Sequence, residues 1–261
     1  MTSQPEILHL DNTTSTSDLL RQMAAQGLAD RDFTTVVADF QTNGRGQVGN
    51  HWESEPGANL LLSTIFHPIR CDVARQFMIS MAVALAVRDV LAALLPNPAD
   101  VKVKWPNDVY VADSKICGIL VENQLSARRI AYSIIGIGLN VNQVEFHRAP
   151  NPTSIRLLTA SATPLHTLTA DLLRALRLRL DSVSQSLDSQ LLADYWAALY
   201  RADARFHDFA TSSGRFSARI VSVAPDGRLT LEMPDSERRA FLFKQVEFVI
   251  PTAAGDITPN L

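Results

Sequence analysis

Five short stretches hold most of the residues in this chain whose types could do chemistry. The first is the hydroxyl-rich run Thr13-Thr14-Ser15-Thr16-Ser17. The second follows Gln41 and sets one arginine among three glycines, Gly44-Arg45-Gly46-Gln47-Val48-Gly49-Asn50. Glycine lets backbone approach a ligand closely, and a guanidinium in such a loop suits a phosphate or a carboxylate. No amphipathic helix opens directly after it and no Gly-Lys-Ser/Thr follows. It is therefore neither a dinucleotide fingerprint nor a P-loop. The third, Lys104-Trp105-Pro106-Asn107-Asp108, is turn chemistry that leaves an amide and a carboxylate at a strand end. The fourth runs from Lys115 through Gly118 to Glu122, a lysine opening an apolar strand whose glycine asks for close backbone approach. The fifth, Gly136-Ile137-Gly138-Leu139-Asn140-Val141-Asn142, alternates two asparagines after two strand glycines. Taken singly, each stretch is an ordinary turn, bulge or solvated strand end. Together the last four, polar strand ends, imply one concave site at the edge of a sheet.

The elements that must position these residues follow from periodicity. Thr16 or Ser17 is expected to cap a short helix carrying Leu19, Leu20, Met23 and Ala24. Residues 35–39 and 60–66 read as buried strands, joined by the polar loop 41–59. Residues 72–95 read as a long buried helix, stopped by Pro96 and Pro98. Strands are expected at 101–105, 109–111, 116–122 and 130–141. Leu172, Leu176, Leu180 and Val183 fall at helical spacing, and a further helix carries Leu192, Tyr195, Trp196 and Leu199. From about Phe206 the texture changes to short strands at 218–223, 228–233, 240–243 and 246–250, with Pro225-Asp226-Gly227 as a hairpin turn. This pattern predicts a small β-barrel appended to an α/β domain, with the boundary between Tyr200 and Phe209.

Composition narrows the functional classes. The chain has 261 residues, 46% hydrophobic and 20% charged, which excludes a disordered or fibrous protein. Its 24 Lys and Arg against 27 Asp and Glu give a net charge of −3, with no basic excess for nucleic acid or anionic membrane. Two cysteines, Cys71 and Cys117, in apolar contexts fit a reducing compartment. The start, MTSQPEILHL, lacks a basic n-region and an apolar h-region. The longest apolar run, residues 77–87, is shorter than the roughly 20 residues a bilayer needs. A cytoplasmic protein is expected, with no nucleic acid or membrane partner.

In order, TTSTS, QTNGRGQVGNHW, KWPNDVYV, KICGILVEN and GIGLNVN closely resemble the motifs of biotin–protein ligases across residues 10–142. The resemblance implies an α+β fold: a central mixed sheet with helices, of the class II synthetase-like biotin/lipoate ligase type, over residues 1–204. A small SH3-like β-barrel would follow over 205–261. It also implies that biotin and ATP, with Mg²⁺, form biotinyl-5′-adenylate. The biotinyl group would then pass to a lysine of a biotin carboxyl carrier protein or domain. Carried over by matching position, Ser15, Thr16 and Gln41 would hold the biotin head. Gly44, Arg45 and Gly46 would lie against the activated carboxyl and the phosphate. Lys115 would contact the carboxylate and phosphate oxygens, and Gly118 would let the biotin ring pack on backbone. Trp52, Asn107 and Asn140 would help bind the nucleotide, and Asp108 is the candidate proton acceptor in transfer. No metal ligands are assigned.

Many relatives carry arginines where this chain has Gln47 and Asn50, which bears on how firmly the adenylate is held. Some carry a winged-helix DNA-binding domain in front. Here the first motif begins by Thr13, so the short form without repressor function is expected. The resemblance also allows a homodimer. Two alternatives stand beside this reading: a lipoate–protein ligase-like acyl-adenylate transferase, and a non-catalytic biotin-binding module. The presence of both Arg45 and Lys115 favours an enzyme.

Overall fold

The computed structural model describes residues 6–47, 50–69, 71–185 and 187–251. Val48 and Gly49 of the glycine loop lie outside them, as do the first five residues of the opening segment.

The chain starts with an edge strand, β1 (Ile7–Thr13), that the periodicity did not reveal. Its side chains are mostly exposed, so it carries no buried alternation to read. Helix α1 (Thr16–Ala25) follows, and its cap is Ser15, not Thr16 or Ser17. Ser15 has extended backbone and its hydroxyl accepts from the Asp18 N–H, whereas Thr16 and Ser17 are already helical and buried.

Strands β2 (Thr35–Gln41) and β3 (Leu60–Phe66) come next, then helix α2 (Gln76–Leu94), entered through a 3₁₀ turn at Val73–Arg75. Four strands continue the sheet: β4 (Val101–Lys104), β5 (Asp108–Val111), β6 (Ser114–Ser126) and β7 (Arg129–Leu139). Their order is β1-β2-β3-β7-β6-β5-β4, seven strands in all. β1 and β2 are parallel and the other pairs antiparallel, so the sheet is mixed as expected.

β3 is buried at every position because both faces are covered. On one side α1 brings Leu20 against Val36, Ile65 and Ile134. On the other lies the main core, led by α2. Every α2 residue from 81 to 87 is buried, which explains its lack of a polar stripe. The helical stretch Val73–Leu94 is in fact long and apolar enough to cross a bilayer, contrary to the reading of the shorter apolar run. Here it is the central core helix, packed against β4, β6, α4 (Leu165–Ser184) and α5 (Asp188–Ala198). A short α3 (Ile155–Thr159), capped by Ser154, precedes them and was not foreseen.

The C-terminal strands are β8 (His207–Thr211), β9 (Gly214–Val223), β10 (Leu229–Glu232), β11 (Arg238–Phe241) and β12 (Glu247–Phe248). β8 was missed, and the pairing order is β11-β10-β9-β8-β12, an antiparallel five-stranded sheet. Among the described residues β11 and β12 do not pair, so barrel closure is not part of the strand pairing. The two sheets share one continuous core. The Trp105 indole donates to the Gly227 carbonyl at 2.9 Å, and Phe77 packs under Gly227.

Lys104 sits at this junction, its ammonium 5.4 Å from the Tyr110 ring centre and 5.0 Å from that of Phe248. Burial pushes it down from 10.5 to about 8, with Asp108 pulling the other way. Between those two values the unfolded chain binds more protons than the folded one, so this group makes stability rise with pH. Below about 8 the full cost of burying the charge is present. Lys104→Met is therefore expected to stabilise the protein near pH 7 and to lose that advantage at about pH 9.5 to 10. Denaturant titrations of both forms at the two pH values check it. An equal stability difference at both would contradict it.

Candidate active site

One cleft gathers the motif residues. The Ser15–Ser17 turn and Gln41 form one end, where Arg45 pairs with Asp18 of the same helix, and Asp108 and Lys115 form the other. Between them lie the strand glycines 118, 136 and 138.

The hydroxyl end is set by α1 meeting β2 and β3. Gln41 Oε1 accepts from the Thr16 backbone N–H at 2.8 Å and from the Thr16 hydroxyl at 3.2 Å. Behind them Ser63, fully buried on β3, lies 2.8 Å from both the Thr16 and Ser17 hydroxyls. Gly136 makes room for this, since a Cβ there would come within 2.6 Å of the Ser17 hydroxyl. Sequence reasoning took Ser17 for a helix cap and passed over Ser63. The available signal was a hydroxyl in the otherwise apolar run LLLSTIF.

Two ion-pair groups supply the charge. Lys115 reaches Asp108 at 2.6 Å. A register shift between Val109 and Tyr110, where β5 meets β6, is what brings Lys115 opposite Tyr110. The Lys115 backbone is fixed as well, donating to Asn151 and accepting from Thr153. Arg45 binds Glu122 at 2.8 Å and Asp18 at 3.1 Å, and Arg21 shares both carboxylates. Glu122 and Asp18 were not foreseen as partners. On β6 Glu122 lies four residues, and so an even step, beyond Gly118, which places both on one face.

Trp52 covers the floor. Its indole lies on the bare backbone of β6 and β7, where a Cβ on Gly118 or Gly138 would come within 2.7 and 2.5 Å of the ring. The Gly118 surface expected to face a ligand ring is thus occupied by an indole in this structure. The adjacent Glu53 holds the segment in place by accepting from the backbone N–H groups of His147, Arg148 and Ala149. Burial pushes its carboxyl up, but those three donors outweigh it and leave the group below its ordinary range.

Both asparagines are hydrogen-bonded within the fold. Asn107 is buried, donating to the Ile119 carbonyl at 2.9 Å and accepting from Gln47 at 2.8 Å. Asn140 donates to Thr153 at 3.0 Å. Three buried polar atoms have no partner among the described residues: Arg45 Nε, Trp52 Nε1 and Asn140 Oδ1. Gly44 and Gly46 sit where the loop doubles back on Trp52 and Asn50, and a Cβ on Gly44 would meet the Trp52 carbonyl at 2.9 Å.

Comparison with known proteins fits this arrangement. Residues 10–140 match the model of the biotin/lipoate A/B protein ligase family. The chain belongs to that family. Among relatives of this ligase family, the biotin–[acetyl-CoA-carboxylase] ligase of Mycobacterium tuberculosis is 35% identical over 186 residues, 71% of this chain and 67% of that protein. The bifunctional ligase/repressor BirA of Escherichia coli is 36% identical over 152 residues, 57% of this chain but only 46% of its own length. The fold matches that of the biotin protein ligase of Aquifex aeolicus in complex with biotin and ATP. That match has a TM-score of 0.74 at 21% identity and covers 92% of this chain and 97% of the other.

Proposed function

We infer that this chain is an ATP-dependent biotin–protein ligase, which activates biotin as biotinyl-5′-adenylate and transfers the biotinyl group to a lysine of a biotin carboxyl carrier protein or domain. One observation carries the reading. A single cleft joins a hydroxyl-and-amide end to the Lys115–Asp108 end, with Arg45 lining the same cleft, on the family's own motifs. A ureido head fits the first, and a carboxylate meeting a phosphate fits the second. The dithiolane of lipoate has no hydrogen-bonding groups for Ser15, Thr16 and Gln41 to use, so biotin is the better substrate.

In adenylation, a biotin carboxylate oxygen forms a bond to the α-phosphorus of ATP while the bond to the leaving pyrophosphate breaks. Two anions approach and charge gathers on phosphoryl oxygens, so fixed cations matter most. Lys115, held by Asp108 and by its anchored backbone, is one such cation. Arg45 is the other, exchanging Glu122 and Asp18 for ligand oxygens. Gly44 and Gly46 let backbone approach the phosphate, and Trp52, its ring centre 5.9 Å from the Lys115 ammonium, helps bind the nucleotide. Asn107 and Asn140 act by holding the walls of the nucleotide subsite, Asn107 through Gln47 and Ile119.

Mg²⁺, when bound, would supply charge neutralisation on the phosphates, beside which it characteristically takes one or two carboxylates. In transfer, the neutral amine of the acceptor lysine attacks the biotinyl carbonyl and AMP leaves. Asp108, a carboxylate that lines the cleft, takes the amine proton on the oxygen that Lys115 does not hold.

Incubation with biotin, ATP and Mg²⁺ is expected to release pyrophosphate, and adding a carrier domain to label its lysine. Protein that binds biotin yet releases no pyrophosphate would overturn the enzymatic reading. Turnover with lipoate in place of biotin would shift it to the lipoate branch.

A further inference from the structure

We propose that Ser63, which does not line the cleft, is a positioning residue that sets the hydrogen-bond polarity of the biotin-binding end through a one-way chain Ser17→Ser63→Thr16→Gln41. The inference rests on the biotin reading above and adds to it a specificity determinant behind the pocket wall.

The direction of the chain follows from counting protons. The Thr16 backbone N–H can only donate, and at 2.8 Å it faces Gln41 Oε1. That fixes the orientation of the Gln41 amide, because its NH₂ group cannot sit against a donor. The Thr16 hydroxyl, 3.2 Å from the same oxygen, must then donate its one proton to it. Towards Ser63, at 2.8 Å, Thr16 can only accept, so Ser63 donates. Ser63 has then spent its own proton. Towards Ser17, also at 2.8 Å, it can only accept, so Ser17 donates. All three hydroxyls are buried, and the low local dielectric makes a wrongly directed proton costly.

The consequence appears in the cleft. Thr16 and Ser17 have no proton left and present only lone pairs. Gln41 has its carbonyl occupied and presents its amide N–H groups. The Ser15 oxygen accepts from the Asp18 N–H, which leaves its hydroxyl proton to donate. Two acceptors flanked by two donors complement a cyclic urea, which has two N–H donors and one carbonyl acceptor. Without Ser63, Ser17 loses its acceptor. Its proton can then turn into the cleft and oppose a ureido N–H.

The test is steady-state adenylation by wild type, Ser63→Ala and the nearly isosteric Ser63→Cys, using biotin and a biotin analogue methylated at a ureido nitrogen. Ser63→Ala is expected to raise the biotin KM by about tenfold with kcat within about twofold, as for a buried hydrogen-bond partner left unsatisfied. It should also shrink the preference for biotin over the methylated analogue by a similar factor. Ser63→Cys keeps the packing with a weaker donor and should move both values the same way, less far. A purely structural role would lower the melting temperature and leave the preference unchanged, and that result overturns the proposal even if Ser63→Ala fails to fold and only Ser63→Cys can be measured. Wild type that forms no biotinyl-adenylate would instead overturn the biotin reading, and the relay with it.

Discussion

Lys115→Ala is expected to slow single-turnover adenylate formation by about a hundredfold, while biotin affinity falls far less. The reason is where the charge develops. Removing a fixed donor at a developing oxyanion costs on the order of 3 kcal/mol in the transition state. In the ground state biotin keeps the contacts of its ureido head at the other end of the cleft. The structure strengthens the expectation, since Lys115 is pre-positioned by Asp108 at 2.6 Å and by backbone bonds to Asn151 and Thr153. Asp108→Asn keeps the cation but loosens its hold, so a smaller loss of rate is expected. Rapid-quench measurement of pyrophosphate release checks both variants. An unchanged rate in Lys115→Ala would make the lysine a solvated strand end and nothing more.

Arg45→Ala should release pre-formed biotinyl-adenylate roughly ten to a hundred times faster than wild type, the range for losing a hydrogen bond to a charged group. This guanidinium is bound to Glu122 and Asp18, and its buried Nε has no partner among the described residues. Binding the adenylate therefore exchanges carboxylates for phosphate oxygens, and part of the gross gain is offset. Arg21 shares the same two carboxylates and stays with them when Arg45 leaves, so the exchange does not strand a buried anion. Glu122→Gln, which weakens the competing pair, should slow release. Dissociation followed by chasing labelled adenylate distinguishes these outcomes. Equal release rates in wild type and Arg45→Ala would leave Arg45 as an ion-pair partner only.

The sequence by itself determined the parts of this protein that depend on neighbours along the chain. The apolar run of β3, the girth of α2, the turn at Gly227 and the four glycine-loop and strand-end motifs are local patterns, and each stands where periodicity and turn chemistry place it. The motif order was enough to indicate the family. Only the tertiary structure decided which residues meet. Arg45 finds Glu122 across 77 positions, and Thr16 finds Ser63 across 47. Such pairs depend on strand order and on the register shift between β5 and β6, which no local preference encodes. The same cause hid β1 and β8, whose pairing rather than composition makes them strands. It also hid the indole of Trp52 on Gly118 and Gly138, because those glycines signal a close approach without naming what approaches. Residue types dictated the chemistry available to the cleft. Packing assigned each group its partner, and with it the direction in which each proton can be given.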